Sequence, residues 1–232
     1  MADNYLEKRY EEVFENPRPK VVRQVGQSLD SLFVKNRSVR GFDQSRVVSE
    51  AELLDIIGVN PAIASSKNMQ ALRFHPVTKD TGAEKVNANI KMAALFRKHQ
   101  ATAAIQENFP SLPLPGTEPE AFVIICSTVD ESPSLFIDLG ISLQSMSLKA
   151  VEMGLNCLMI RSINRPGLEE AFGLEHVVAV LAVGKSAEKI YLVPTDGKQK
   201  LSQQPEEAAP LDYFRRDGIH YVPKLRLEDI LV

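Results

Sequence analysis

Two apolar runs restrict this chain more than any other feature. Residues 121–126 read AFVIIC and residues 177–183 read VVAVLAV. Both are of strand length and apolar at every position, so neither can leave one face in water. Each reads as a strand buried on both sides. Residues 155–160, LNCLMI, form a third buried-strand candidate, and Leu72 to Val77 a shorter one.

Helical signals alternate with these strands. Ser49 followed by Glu52 is a capping-box pattern, opening a helix that carries Leu53, Leu54 and Ile57 and stops before Pro61. Ser132-Pro133 is an N-cap and first-turn pair. The helix it opens places Leu139, Leu143, Met146, Ala150 and Met153 along one stripe, with Gly154 as its C-terminal stop. Ile137, Ile141 and Leu148 lie off that stripe, so the helix is apolar on more than one side, as in a core or between subunits. Further helices are expected over residues 5–16, 21–34 (Val21, Val25, Leu29, Leu32, Phe33), 82–100 (Val86, Ile90, Ala94, Leu95) and around Leu168 to Phe172. Residues 108–120 hold Pro110, Pro113, Pro115, Pro119 and Gly116 and are expected to be irregular, because proline removes donors and fixes φ. Residues 198–209 are polar and loop-like, Ile219 to Leu227 reads as extended, and Leu227 to Leu231 as a last turn. The alternation makes the class α/β or α+β. With no repeat and no clean linker, residues 1–232 read as one domain, with 1–30 an N-terminal helical extension.

Composition removes several functions. A net charge of −3 leaves no cation excess to displace counterions along a nucleic acid. No apolar run approaches the roughly 20 residues that span a bilayer, and the first residues lack a signal peptide's apolar stretch, so a cytoplasmic location is expected. Cys126 and Cys157 sit inside apolar runs, as reduced core residues do. His75, His99, His176 and His220 are scattered, without metal-ligand spacing. The sequence contains no glycine-rich dinucleotide fingerprint, phosphate-binding P-loop or nucleophile elbow, nor an evident acid–base pair. Such a chain catalyses a reaction most readily when a cofactor carries the chemistry.

Three polar segments remain. Arg37, Ser38 and Arg40 combine two guanidinium forks with a hydroxyl donor, a set suited to phosphate oxygens. If that segment is extended, Ser38 and Arg40 share a face and Arg37 points elsewhere. Lys224 and Arg226 are also two apart and aim at one target from an extended chain, with Val222, Leu225 and Leu227 as apolar anchors. Ser65, Ser66, Asn68 and Gln70 concentrate hydroxyls and amides in a loop. Each also fits a plainer role: a solvated basic turn, a charged edge strand that resists aggregation, or a turn whose side chains bond their own backbone.

In order and spacing, these segments together resemble the FMN-dependent nitroreductase family over roughly residues 30–230. Arg37-Ser38-Val39-Arg40 matches the family's Arg-x-Ser-x-Arg/Lys, residues 65–70 match its Ser-Ser/Ala-x-Asn-x-Gln run, residues 154–160 its Gly-Leu helix end and strand, and Pro223 to Arg226 its closing Lys-x-Arg. The resemblance implies an α+β nitroreductase-like fold of three layers, a central mostly antiparallel sheet flanked by helices, in an intertwined homodimer with FMN at the interface. It implies that Ser38, Lys224 and Arg226, with Arg37, hold the FMN phosphate. Arg40 would stand near flavin N1 and the C2 oxygen, as electrostatic support for the reduced ring. Ser65, Ser66, Asn68 and Gln70 would reach the flavin, the first three from the partner subunit, and Arg161 and Ser162 would border N5. No side chain is then catalytic in itself and no metal is needed. NADH or NADPH would reduce the flavin, and a small electrophile such as a nitroaromatic or quinone would reoxidise it. The sequence departs from the family pattern at Asn36, where many members carry a first Arg, at Ala71-Leu72 in place of Pro-Trp, and at Ser162 in place of Gly. Other readings are a flavin-binding sensor of the same fold, a flavin-dependent dehalogenase or flavin-destroying enzyme, and an unrelated module for a phosphorylated small molecule.

Overall fold

Strands β1 (Leu72–Val77), β2 (Ala121–Ser127), β3 (Asn156–Ile160) and β4 (Val177–Gly184) form an antiparallel sheet of order β1-β2-β4-β3. The computed structural model describes residues 27–91, 116–194 and 214–231. The expected helix over 5–16, the expected helical residues before 27 and after 91, the proline-rich residues 108–115 and the polar stretch 198–209 lie outside these. The two all-apolar runs occupy the two central positions, and every residue of β2 and β4 is buried. The edge strands β1 and β3 mix buried with partly exposed positions.

Alternate residues of β2 feed two separate cores, as the two-residue period of a strand requires. Ala121, Val123 and Ile125 join Leu53, Ile56, Leu139, Leu143 and Met146, whereas Phe122, Ile124 and Cys126 join Val86, Ile90 and Leu168. The first core is covered by helices α2 (Glu50–Ile57) and α4 (Pro133–Glu152), which follow α1 (Leu29–Lys35) and α3 (Ala83–Ala88) in an alternating order. The second is covered by α3 and by α5 (Arg165–Phe172). The class is α+β, with helices on both faces of an antiparallel sheet. Each fully buried Leu or Ile contributes about 1.5–3 kcal/mol of apolar burial, so the sheet is the rigid platform of the molecule.

Local signals fix several boundaries. The capping box at Ser49 and Glu52 is complete in both directions. Ser132 caps α4 through Leu135 N–H, and Gly154 follows its last turn at φ 79°. Two helices begin or end inside their expected spans. Ser28 adopts extended dihedrals and caps Ser31 N–H at 3.2 Å, so α1 starts at Leu29 instead of continuing from residue 21. After Ala88 the chain leaves α3: Asn89 Nδ2 donates to the Lys85 carbonyl, and Ile90 makes an antiparallel bridge to Ile163. The off-stripe residues of α4 divide: Ile137 and Ile141 are exposed, while Leu148 is half-buried.

A second sheet contains β5 (Lys189–Pro194), β6 (Phe214–Arg216) and β7 (Ile219–Lys224), in the order β5-β7-β6. β5 runs parallel to β7 and β6 antiparallel to it. Asp217 and Gly218, both at positive φ, make the two-residue turn between β6 and β7. The extended tail therefore ends at Lys224, and α6 (Leu227–Ile230) supplies the last turn. Among the described residues no helix is long and apolar enough to cross a membrane, and no cluster of His, Cys, Asp and Glu fits a metal ion. Both cysteines are free and buried; burial pushes the Cys157 thiol up to about 12, which leaves it unreactive.

The cap of α2 has a measurable acid signature. A hydrogen bond from Arg46 holds the Glu52 carboxyl at about 2, with the Ser49 backbone N–H as a second donor. An unfolded glutamate titrates near ~4.3, so the stabilisation is complete above that value and disappears as pH falls toward that of the folded carboxyl. Glu52→Gln should narrow the difference in melting temperature between neutral pH and about pH 3. Scanning calorimetry at both values measures it, and an unchanged difference would contradict the assignment.

Candidate functional site

The segment after α1 is pinned across the open edge of the sheet. Val39 N–H donates to the Cys157 carbonyl at 3.1 Å, and Ser38 bridges Cys157 in the parallel sense. Phe42 and Asp43 then donate to the carbonyls of Thr117 and Lys185, each at 2.8 Å. The Phe42 ring is buried against Gly184, where a Cβ would fall 2.8 Å from Cδ1. Only glycine at 184 allows that approach. Behind the segment, the buried Glu188 carboxylate accepts both Arg40 N–H, at 2.6 Å, and Gly41 N–H, at 3.2 Å. Residues 38–42 are therefore held by the edge of the main sheet and by the link between β4 and β5, unlike a solvated basic turn.

This pinning opens a cleft of about 370 Å³ between the segment, α4 and the second sheet. Arg37, Ser38 and Arg40 line it from the N-terminal side and Lys224 from the end of β7, with His220 and Gln144 beside them. Arg37 does not point elsewhere as a regular strand would require, because the chain has just left α1 at Asn36 (φ −73°, ψ 97°) and the two-residue alternation has not yet begun. Its guanidinium also donates to the Phe33 carbonyl, and burial lowers its pKa without removing its charge. Among the described residues, no carboxylate lines the cleft. Three permanent cations converge here on a chain whose net charge is −3. Guanidinium forks, a hydroxyl and an ammonium form a donor set that fits a phosphate and leaves a neutral guest without a counterpart.

The other expected site residues lie elsewhere. Arg226 stands two residues beyond Lys224 as the N-cap of α6, with Nη1 3.8 Å from Glu228 Oε1, and is not among the cleft-lining residues. Leu227, expected as an anchor, is exposed, because the turn of α6 carries it off the body. Arg161 and Ser162 follow β3, about 13 Å along the strand from Cys157 at 3.3 Å per residue. The Arg161 guanidinium lies 4.3 Å from the Phe136 ring centroid and 3.9 Å from Glu131, while the Ser162 carbonyl accepts Lys91 N–H.

Ser65 and Gln70 line a different cavity of about 290 Å³, with Asp138 and Ser142 of α4. Gln144 of the same helix faces the first cleft, so α4 separates the two within one chain. This loop is strained. Lys67, Asn68 and Gln70 hold φ of 51°, 54° and 47°, a region that costs roughly 1–2 kcal/mol for residues such as Lys and Gln. Buried polar groups of α4 enforce the shape: Asp138 Oδ1 accepts Ser66 N–H at 2.8 Å, and Ser142 Oγ donates to Asn60 Oδ1 at 2.6 Å. Gln70 Nε2 reaches Asn68 Oδ1 at 3.1 Å. No motif in the sequence marks Asp138, Ser142 or Glu188, and His220 stands there only as one of four scattered histidines. Asp138 and Ser142 were legible only as polar interruptions on a helix otherwise read for its apolar stripe.

The sequence profile of the Nitroreductase family matches residues 34–185, about two thirds of the chain. The chain belongs to that family. No curated protein matches it by sequence. Among solved structures, it is similar to a protein from Exiguobacterium sibiricum crystallised in complex with FMN, at 18% identity over 71% of this chain and 91% of that one, with a TM-score of 0.55. It is also similar to the FMN and NADPH-dependent nitroreductase NfnB of Sphigopyxis sp. (19% identity, 69% and 89% of the two chains, TM-score 0.53). A nitroreductase family protein of Clostridium difficile aligns at 19% identity over 70% and 86%, with a TM-score of 0.53. At these identities the likeness establishes the fold.

Removing the Asp138 acceptor should loosen the strained loop. Asp138→Ala leaves a part-buried Ser66 N–H without its acceptor and is expected to destabilise the protein by about 1–2 kcal/mol in urea unfolding. Asp138→Asn should cost less, since its amide oxygen still accepts. Equal losses in the two variants would show that the hydrogen bond is not what holds the loop.

Proposed function

We propose that this chain is an FMN-dependent oxidoreductase that uses NADH or NADPH and works as a homodimer. The observation that carries the reading is the convergence of Arg37, Ser38 and Arg40 with Lys224, from opposite ends of the polypeptide, on one cleft that no carboxylate lines among the described residues. Family membership and the FMN named for similar structures support it. When bound, the flavin would accept hydride from the nicotinamide and pass it to an electrophile such as a nitroaromatic or quinone.

The protein's own residues then bind and tune. Arg37, Ser38 and Lys224 hold the phosphate, Arg and Ser by directional hydrogen bonds and Lys as a mobile point charge. Arg40, with its backbone fixed by Glu188, supplies a stationary cation that favours negative charge on the reduced ring. Arg226 contributes to the phosphate site only through rearrangement of the turn that it now caps.

Ser65, Ser66, Asn68 and Gln70 complete the site from a second copy of the chain, since within one chain α4 stands between them and the cleft. The exposed Ile137 and Ile141 give α4 an apolar face suited to such a partner. Arg161 and Ser162 border the reactive edge of the ring from the end of β3.

Purified protein should carry a flavin absorption spectrum that NADH or NADPH bleaches anaerobically. Lys224→Ala should weaken FMN affinity roughly tenfold, the worth of one charge-assisted contact, and leave riboflavin affinity unchanged. Colourless protein that fails to bind added FMN would overturn the proposal. FMN binding without bleaching by either nicotinamide would reduce it to a flavin-binding role.

A further inference from the structure

We propose that His220, which lines the cleft, and Glu188 behind it form a proton-linked pair, so that a phosphate monoester binds together with a proton taken up by the pair. This rests on the flavin-phosphate reading above and adds the regulation of that site by pH. Glu188 lies on the link between β4 and β5, and its side chain is 4% exposed. Its Oε2 accepts the Arg40 and Gly41 N–H groups, and its Oε1 is 4.0 Å from Nδ1 of His220, itself 3% exposed. One carboxylate thus joins the backbone of the N-terminal phosphate segment to an imidazole on the strand that ends in Lys224.

The surroundings of His220 oppose one another. Glu188 favours the imidazolium. Arg37 and Arg40 from the segment after α1, and Lys224 farther along β7, line the same cleft and disfavour it. From α4 comes the neutral Gln144, from β5 Ile190 is the register partner, and on β6 Arg215 occupies the position opposite. With no anion in the cleft, these cations repel a protonated His220. A dianionic phosphate neutralises their field, and the Glu188 attraction then prevails. The proton comes from solvent and stays on the imidazole while the anion is bound. Histidine alone among these groups changes charge near neutrality.

Binding of FMN, and of riboflavin as the phosphate-free probe, would be measured by fluorescence and calorimetry on the full chain between about pH 7 and pH 9. Over that range a phosphate monoester is already a dianion and Lys and Arg keep their charge. FMN affinity should fall about tenfold across it, with proton uptake seen as a buffer-dependent enthalpy. Riboflavin affinity should show no such fall, and His220→Gln should flatten the FMN profile. Glu188→Gln, the second variant if His220→Gln does not fold, should reduce proton uptake. Wild-type FMN affinity independent of pH, or the same slope in His220→Gln, would overturn this inference and leave the flavin reading intact. Failure to bind FMN at any pH would overturn both.

Discussion

The site depends on the attachment of residues 38–42 to the edge of the main sheet and to the link between β4 and β5. Val39 bonded to Cys157 sets the segment beside β3, while Phe42 and Asp43 carry it to the end of β4. Glu188 then fixes the Arg40 and Gly41 backbone from behind. A basic segment without these bonds would sample many conformations and lose them on binding an anion. Here that ordering is part of folding, so the cations are already placed before any anion arrives.

The attachment works because the main sheet does not yield. β2 and β4 are buried along their whole length, and their alternate residues lock helices onto both faces. The same rigidity supports the strained 65–70 loop, which buried Asp138 holds on the other side of α4, while Ser142 holds Asn60 beside it. A single helix therefore stands between two polar regions of one chain. The dimer proposal rests on that separation, with a second copy bringing the two together.

Much of this was legible in the sequence for identifiable reasons. All-apolar runs of strand length cannot be surface strands, so 121–126 and 177–183 had to be central. The boundaries marked by Ser49, Ser132 and Gly154 were readable because caps are chemistry between residues a few positions apart. The missed elements carried weaker marks. β5 carries only the short apolar run Ile190 to Val193 before Pro194, and β6 has three residues, although Asp217-Gly218 is a hairpin turn signal. The helix expected from residue 21 failed to account for Ser28, whose extended backbone and side-chain cap start α1 at Leu29.

The sequence by itself determined the elements, the class and the kinds of donor available, because hydrophobic period, capping and side-chain chemistry act over a few residues. Only the tertiary structure decided which donors meet. It brought Lys224 to Arg37 and Arg40 and left Arg226 at a helix cap. It also placed Glu188 and His220, neither marked by any motif, beneath the cations. Those outcomes follow from the pairing of β7 with β5 and from the bridge of residue 38 to β3, contacts between distant parts of the chain that no local pattern records.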